Sequence, residues 1–205
     1  DPLPLVLPSS EFTALEAGIA QRARLLEAML GDLYGPQALL AEGLVPPELV
    51  FPNPAFMRPC RREGMAPAAP MLHLYAADLL RGPDGQWRVL ADRTTAPAGL
   101  GMARENRRLL GRVMPEAFRG AQVRSMRPFF DVWQDALQRL APPERSDPAI
   151  ALLTRGTHHP RWFEDMLLSR ELSCALVECG DLSVRGGALH LKTLQGLQRV
   201  DVLLS

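Results

Sequence analysis

The feature that most constrains this chain is a run of residues, 72 to 108, in which two strand-like segments precede a glycine loop and an arginine-rich segment. Residues 72–80 are mostly apolar, and residues 86–91 alternate polar and apolar side chains as a half-buried strand does. Arg81-Gly-Pro-Asp-Gly85 between them has turn composition, because proline presets φ and glycine accepts a positive φ. The sequence therefore predicts a β-hairpin.

The loop from Asp92 to Gly101 should follow the second strand and lie exposed at the end of the sheet. Its proline and glycines disfavour both a continued strand and an early helix start. Residues 103–114 then predict a helix with several arginines, and Glu105 in its first turn suits the positive end of the helix dipole. Carboxylate oxygens suit magnesium, whereas amides and guanidinium groups suit phosphate, so the run favours a magnesium and phosphate site.

Eight short segments, spread in order over nearly all of the chain, carry a resemblance to a known family. They are Gln-Arg-Ala-Arg-Leu-Leu (21–26), Asp-Leu-Tyr-Gly (32–35), Gly-Leu-Val-Pro-Pro-Glu-Leu-Val (43–50), Tyr-Ala-Ala-Asp-Leu-Leu-Arg (75–81), Gly-Gln-Trp-Arg-Val-Leu-Ala-Asp-Arg-Thr (85–94), Ala-Pro-Ala-Gly-Leu-Gly (96–101), Glu-Asn-Arg (105–107) and Lys-Thr-Leu-Gln-Gly-Leu-Gln-Arg-Val-Asp-Val (192–202). In these segments the chain resembles the circularly permuted ATP-grasp proteins of the second type.

The resemblance implies a ligase-like scaffold that clamps ATP and Mg²⁺ and activates a carboxylate as an acyl phosphate for attack by an amine or another nucleophile. Family members are longer at both ends, so it also implies a fragment that is inactive without the remaining parts of the full-length chain. The expected partners are small-molecule carboxylate and amine substrates. The alternative is a non-catalytic ATP-grasp-like scaffold or small-molecule-binding domain.

The same resemblance suggests which residues hold the cofactors. Related unpermuted enzymes bind magnesium with an acidic residue on one strand and a Glu-x-Asn on the next. Asp92-Arg-Thr94 could stand in place of Glu-x-Asn, with Asp78 as the preceding acid, although threonine is a weaker ligand than asparagine. Glu105-Asn106 is the competing assignment.

The candidate site residues fall into three groups with different expected roles. Metal binding is assigned to Asp78 and Asp92, cofactor binding to Thr94, Gly99, Gly101, Glu105 and Asn106, and a catalytic contact to phosphate or substrate carboxylate to Arg81, Arg93 and Arg107. The alternatives are a loop-capping or solvent-facing carboxylate for the aspartates, a salt bridge that holds the loop for the arginines, and a required backbone conformation for the glycines.

The remaining patterns predict an α/β fold: a mixed sheet with flanking helices, in which an ATP-grasp-like portion is followed by a partial Rossmann-like portion. Helices are expected at 12–33, 37–42, 122–140 (interrupted near Pro128) and 161–172, strands at 149–153, 174–177 and 200–204, a hairpin within 182–191 and an irregular connection at 51–70. The arginines of the first helix, Arg22 and Arg24, are expected on a solvated face.

The prolines and charges of residues 141–148 indicate a linker between two domains. Residues 1–140 would hold the helical segment with the ATP-grasp-like hairpin and helix, and residues 149–205 a partial α/β, pre-ATP-grasp-like segment.

His158-His159 lies in a loop after the predicted strand 149–153. Adjacent histidines usually point apart and lack the i, i+4 spacing of a helical zinc pair, so a metal site is not favoured. The loop 154–159 should lie at the carboxyl end of a parallel strand, where α/β sheets bind ligands. A contact to substrate is therefore open for this loop.

Composition restricts the partners. Twenty-three basic and 23 acidic residues give a net charge of zero, and the basic segment 104–127 has no series of interleaved stacking aromatics, so a nucleic-acid partner is not expected. No apolar stretch approaches the roughly 20 residues that cross a bilayer, and the start does not resemble a signal peptide. Three irregularly spaced cysteines indicate neither a disulfide framework nor a zinc site, so a cytoplasmic location is expected.

Overall fold

The computed structural model describes residues 4–61, 70–95 and 97–205, and it divides into two compact units, Asp1–Pro97 and Ala98–Ser205. The mixed α/β class predicted from the sequence is confirmed, with helices and both parallel and antiparallel sheets. The Rossmann-like character of the last portion stays a prediction. The expected linker 141–148 lies inside the second unit, and the proposed domain division also stays a prediction.

The first unit contains three helices and a hairpin within its described residues. They are α1 (Ser9–Leu33), α2 (Ala38–Ala41), α3 (Pro47–Val50), β1 (Ala76–Arg81) and β2 (Trp87–Arg93). The long helix α1 matches the prediction for 12–33. The predicted irregular connection at 51–70 contains a short 3₁₀ turn at Arg58–Cys60, and its residues 62–69 lie outside the described part, as does Ala96 of the glycine loop.

Polar side chains of α1 contact the hairpin and the residues before it. Glu11 accepts a hydrogen bond from the indole N–H of Trp87 at 2.5 Å. The Glu27 carboxylate accepts bonds from the backbone N–H groups of Met71 and Leu72 at 2.9 and 2.6 Å. These half-buried carboxylates fix the hairpin and the residues before it against the helix.

The second strand of the hairpin is longer than predicted. β2 continues to Arg93 because Asp92 and Arg93 pair with Ala77 and Ala76 of β1. Asp92 therefore lies within the strand and not in the loop beyond its end, which corrects the expectation. A β-bulge interrupts the register between Asp78 and Leu79.

The second unit carries four helices and two three-stranded sheets among its described residues. The helices are α4 (Leu100–Val113), α5 (Pro115–Gly120), α6 (Arg127–Leu140) and α7 (Trp162–Glu171), and the strands are β3 (Ile150–Leu153), β4 (Ala175–Val177), β5 (Leu182–Arg185), β6 (Ala188–Thr193), β7 (Gly196–Arg199) and β8 (Val202–Leu204). One sheet is parallel in the order β4-β3-β8, and the other is antiparallel in the order β5-β6-β7. The predicted strand–helix–strand unit and the hairpin after it are confirmed.

Two predicted boundaries in this unit were wrong, and one strand was not predicted. α4 begins at Leu100 and not at 103, because Gly99 takes a φ of +104° and ends the loop there. α6 begins at Arg127, since Pro128 fits the first turn of a helix, and 122–126 is not helical. β7 was not predicted; a tight turn at 194–195, closed by the Thr193 hydroxyl, leads into it.

The core of the second unit lies where α6 and the sheets bury their apolar faces. Phe130, Trp133 and Leu137 are spaced by three and four residues and are almost fully buried, as one face of an amphipathic helix should be. A second cluster centres on Ala151 and Val177 of the parallel sheet. Among the helices of the described residues, none has the length and apolar character needed to cross a bilayer.

Candidate functional site

The first turn of α4 is bound by a carboxylate from a distant part of the sequence. Glu164 of α7 is 5 % exposed, and its Oε1 accepts hydrogen bonds from the backbone N–H groups of Gly99 and Gly101 at 3.0 and 2.9 Å. Its Oε2 accepts a third bond from the N–H of Met102 at 3.0 Å. The first N–H groups of a helix lack partners within it and carry partial positive charge. The carboxylate satisfies both conditions.

The two glycines of this turn allow the close approach. The positive φ of Gly99 aims its N–H at Glu164, and few residues other than glycine adopt that conformation. At Gly101, a Cβ would lie 3.1 Å from the Cβ of Leu167 and 3.2 Å from Oε2 of Glu164. Backbone geometry is thus a sufficient reason for both glycines.

The sequence predicted these same amides as a phosphate site. In the structure the anion that they bind is Glu164, so Gly99 and Gly101 do not present free amides to a nucleotide in this conformation. Their cofactor-binding role stays a prediction. No local pattern could have identified Glu164, because about 60 residues separate it from the turn that it caps.

The other predicted residues of α4 have separate contacts. Glu105 forms an ion pair with Arg108 one turn along the helix, which lowers the pKa of the Glu105 carboxyl. The Arg107 guanidinium donates to the backbone carbonyl of Arg124 at 2.9 Å. Asn106 and Glu105 line an open groove of about 570 Å³ together with Phe163 and other residues of α4. The roles predicted for Glu105, Asn106 and Arg107 remain untested by these contacts.

In the first unit, Asp92 is the centre of a polar cluster. The Arg22 guanidinium donates to both carboxylate oxygens of Asp92, at 2.6 and 2.7 Å, and the Tyr75 hydroxyl donates to one of them at 2.6 Å. These bonds lower the pKa of the Asp92 carboxyl from 3.8 to about 2, and the bond from Arg22 has the largest effect. Burial and the bond to Asp92 raise the pKa of Tyr75. Arg22 is exposed, as expected of a solvated face, and it is also the main partner of Asp92.

Asp78 lies on the opposite face of the hairpin from Asp92. Directly opposed residues of an antiparallel pair share a face, and successive residues of a strand alternate. Asp78 opposes Ala91, whereas Asp92 opposes Ala77, so the two carboxylates point away from one another. The Asp78 carboxylate accepts from Arg93 on its own face, at 3.0 and 2.6 Å.

The hairpin therefore does not bring its two predicted metal ligands together. Hard divalent cations need several oxygen ligands around one point. Within the described residues, no group of three or more carboxylate, histidine or cysteine side chains could hold a metal ion. The individual metal role of Asp78 or Asp92 stays a prediction.

Two further predicted residues occupy the ends of the hairpin. Arg81, at the end of β1, lies 3.4 Å from the Glu11 carboxylate and 5.9 Å from the centre of the Trp87 ring. Both contacts are of the kind that stabilises the hairpin against α1. Thr94 follows β2 and is exposed.

The fold and these contacts describe a mixed α/β protein with a hairpin, a glycine turn and an arginine-bearing helix in the predicted order. The chain belongs to the family of circularly permuted ATP-grasp proteins, type 2, whose sequence model matches residues 4–205. Membership of this family means an ATP-grasp, ligase-like fold.

The relatives found among known proteins are longer than this chain. An uncharacterized protein of Mycobacterium tuberculosis is 41 % identical over 204 residues, which cover 100 % of this chain and 23 % of that protein. An uncharacterized protein of Synechocystis is 34 % identical over 204 residues, which cover 99 % of this chain and 42 % of that protein. The chain thus spans less than half the length of these relatives.

ATP and Mg²⁺ are the cofactors that the family implies. Within each unit taken by itself, the residues described do not form a complete site for them, since the two aspartates face apart and the α4 amides are bound to Glu164. The fit is therefore incomplete within either unit.

Proposed function

We propose that this chain is part of an ATP-dependent carboxylate–amine ligase of the ATP-grasp type, one that works through an acyl phosphate. The observation that carries the proposal is the family match along residues 4–205. The proposed cofactors are ATP and Mg²⁺, and the proposed substrates are a small-molecule carboxylate and an amine. The chain alone would be inactive, and the support for this is that neither unit by itself forms a complete cofactor site.

Titration of magnesium-ATP, followed by calorimetry, tests the first part of this proposal. The 205-residue chain should show no measurable binding, whereas the full-length Mycobacterium tuberculosis relative should bind. With a panel of carboxylates, the relative should release ADP and form an acyl hydroxamate when hydroxylamine replaces the amine. An absence of nucleotide binding in both proteins would contradict the ligase proposal.

Residue roles can be tested in a chimera in which this chain replaces the matching 204-residue region of the relative. Asp92→Ala should weaken nucleotide binding there by roughly tenfold or more if the carboxylate contributes to the metal site. Asp84→Ala removes an exposed carboxylate at the tip of the same hairpin and is the matched control. Equal affinities in the two variants would refute the metal role of Asp92.

A non-catalytic ATP-grasp-like scaffold is the second candidate, and one observation favours it. The amides that could bind phosphate are bound to Glu164, and each hairpin carboxylate is paired with an arginine. A stable chimera with no affinity for ATP would support this candidate.

A further inference from the structure

The loop between β3 and α7, residues 154–161, lies at a position where α/β sheets commonly bind ligands. β3 is the central strand of the parallel sheet, with β4 on one side and β8 on the other. The connection from β3 leads to β4, so the strand order changes direction at β3. Ligands bind in the crevice outside the carboxyl ends of strands at such a point.

The conformation of this loop is fixed from within the second unit. Thr154 is 2 % exposed, and its hydroxyl donates to Asp165 Oδ2 at 2.9 Å and accepts from the Gly156 N–H at 3.3 Å. The His159 N–H donates to the Gly156 carbonyl at 3.0 Å, which closes a turn. The His159 ring Nδ1 accepts from the Arg161 N–H at 3.2 Å. The loop is thus ordered before any ligand arrives.

The carboxylates next to the loop already have donors. Asp165 accepts from Thr154, and the side chain of Glu178, which lies against Gly156, accepts from the N–H of Asp181. Residues 154–161 themselves contain no acidic side chain. The negative charge around the loop is therefore held in place by hydrogen bonds.

The cationic side chains of the loop, in contrast, have unused hydrogen-bonding capacity. Arg155 and His158 are exposed, and neither side chain has a hydrogen bond or ion pair to the described residues. The Nε of Arg161 is shielded from solvent without a hydrogen-bond partner in the described part of the chain. Oδ1 of Asp165 forms an ion pair with this Nε at 3.9 Å, which is beyond hydrogen-bond distance. A shielded donor of this kind needs an acceptor.

We propose that the loop 154–161 is a binding site for a small-molecule oxyanion, a carboxylate or a phosphate, held by Arg161, Arg155 and His158. Planar guanidinium groups bind both of these anions through paired N–H donors. The Gly156–His159 turn lies between the two arginines, so both belong to the same short loop. The proposal goes beyond the proposed function, because it does not require the chain to bind ATP.

Nuclear magnetic resonance titration of the 205-residue chain tests the site directly. Sodium phosphate and sodium acetate are added in separate series at constant ionic strength, with sodium chloride as the reference, since screening alone also shifts signals. Saturable shifts at the amides of 154–161 with either anion are expected. Phosphate without acetate would identify a phosphate-type ligand, and the reverse a carboxylate. Shifts no larger than those with chloride would overturn the proposal.

Three substitutions separate a specific site from general charge attraction. Arg155→Gln and Arg161→Gln should each weaken anion binding by roughly tenfold or more. Arg170→Gln makes the same charge change at the other end of α7, on an exposed side chain, and should leave the affinity unchanged. If Arg161→Gln did not fold, the affinity of Arg155→Gln would test the proposal, because Arg155 is exposed. Equal affinities for Arg155→Gln and Arg170→Gln would overturn the proposal, whatever the result of the ATP titration.

Discussion

Glu164 in the second unit and Asp92 in the first are both carboxylates that hold distant segments together, but they do so with different partners. Glu164 is almost fully buried and binds three backbone N–H groups at a helix start, where acceptors within the helix are missing. Asp92 keeps 26 % of its side chain exposed and binds the Arg22 guanidinium and the Tyr75 hydroxyl. Loss of a buried partner leaves donors unsatisfied, whereas an exposed pair is replaced by water. The two carboxylates should therefore contribute differently to the free energy of unfolding, although both act as hydrogen-bond acceptors.

The largest expected effect is that of Glu164→Ala. It leaves three amides at the start of α4 without their acceptor, and we expect a loss of about 3 kcal/mol in the free energy of unfolding, measured by urea denaturation. Glu171→Ala is the matched control, because it removes the partly exposed pair that Glu171 of the same helix forms with Arg104 of α4. That control should lose about 1 kcal/mol or less. Equal losses of stability would contradict the expected difference between a carboxylate that binds buried amides and one that pairs with an exposed arginine.

Gly101→Ala tests whether the approach of Glu164 depends on space at the helix start. A Cβ there meets Leu167 at 3.1 Å, so crowding should outweigh the better helix propensity of alanine and cost about 1 kcal/mol. Gly111→Ala in the same helix meets only the Phe118 ring, at 3.6 Å, and should stabilise by about 0.5 kcal/mol. Thermal unfolding measures whether each variant is stabilised or destabilised. Stabilisation by both substitutions would contradict the predicted crowding at Gly101.

Asp92→Asn should have an effect that is smaller than that of Glu164→Ala and that depends on pH. The pKa of Asp92 is lowered from 3.8 to about 2, so its stabilisation is present above about pH 4 and is lost as the pH falls toward 2. At neutral pH the variant should lose about 1 kcal/mol, and the difference from the parent chain should shrink as the pH falls through about 2 and vanish below it. Urea unfolding across this range measures it. A difference that persists at the acid end would mean that Asp92 acts through packing.

The smallest expected effect concerns metal binding at the hairpin. Because Asp78 and Asp92 face apart, Mn²⁺ added as a paramagnetic substitute for Mg²⁺ should not selectively broaden the amide signals of both residues at low micromolar concentration. Joint broadening of the two signals would show that the strands rearrange to bind an ion.

Much of the fold could be predicted because it rests on local patterns. The apolar spacing of α1, the turn chemistry between β1 and β2, and the alternation of β5 and β6 each predict their element directly. The family could also be predicted from short segments. The boundaries were less accurate where tertiary pairing decides, as at β2, where pairing with β1 carries the strand through Asp92.

The site was harder to predict because its partners are far apart in sequence. Arg22 lies 70 residues from Asp92, and on α1 it looks like any solvated arginine. The strand register decides on which face of the hairpin each aspartate lies. A shift of the pairing by one residue would move a carboxylate to the other face. Sequence composition could suggest that carboxylates and amides gather near the glycine loop, but it could not say that they bind one another.

Because Glu164 lies on α7 and binds the first turn of α4, it affects how the second unit unfolds locally. A helix end usually frays alone, but the first turn of α4 can release its amides only if α7 also moves. Protons on the nitrogens of Gly101 and Met102 should consequently exchange with solvent deuterium at the rate of α7 and not at that of a free terminus. The two helices would then open as one cooperative element.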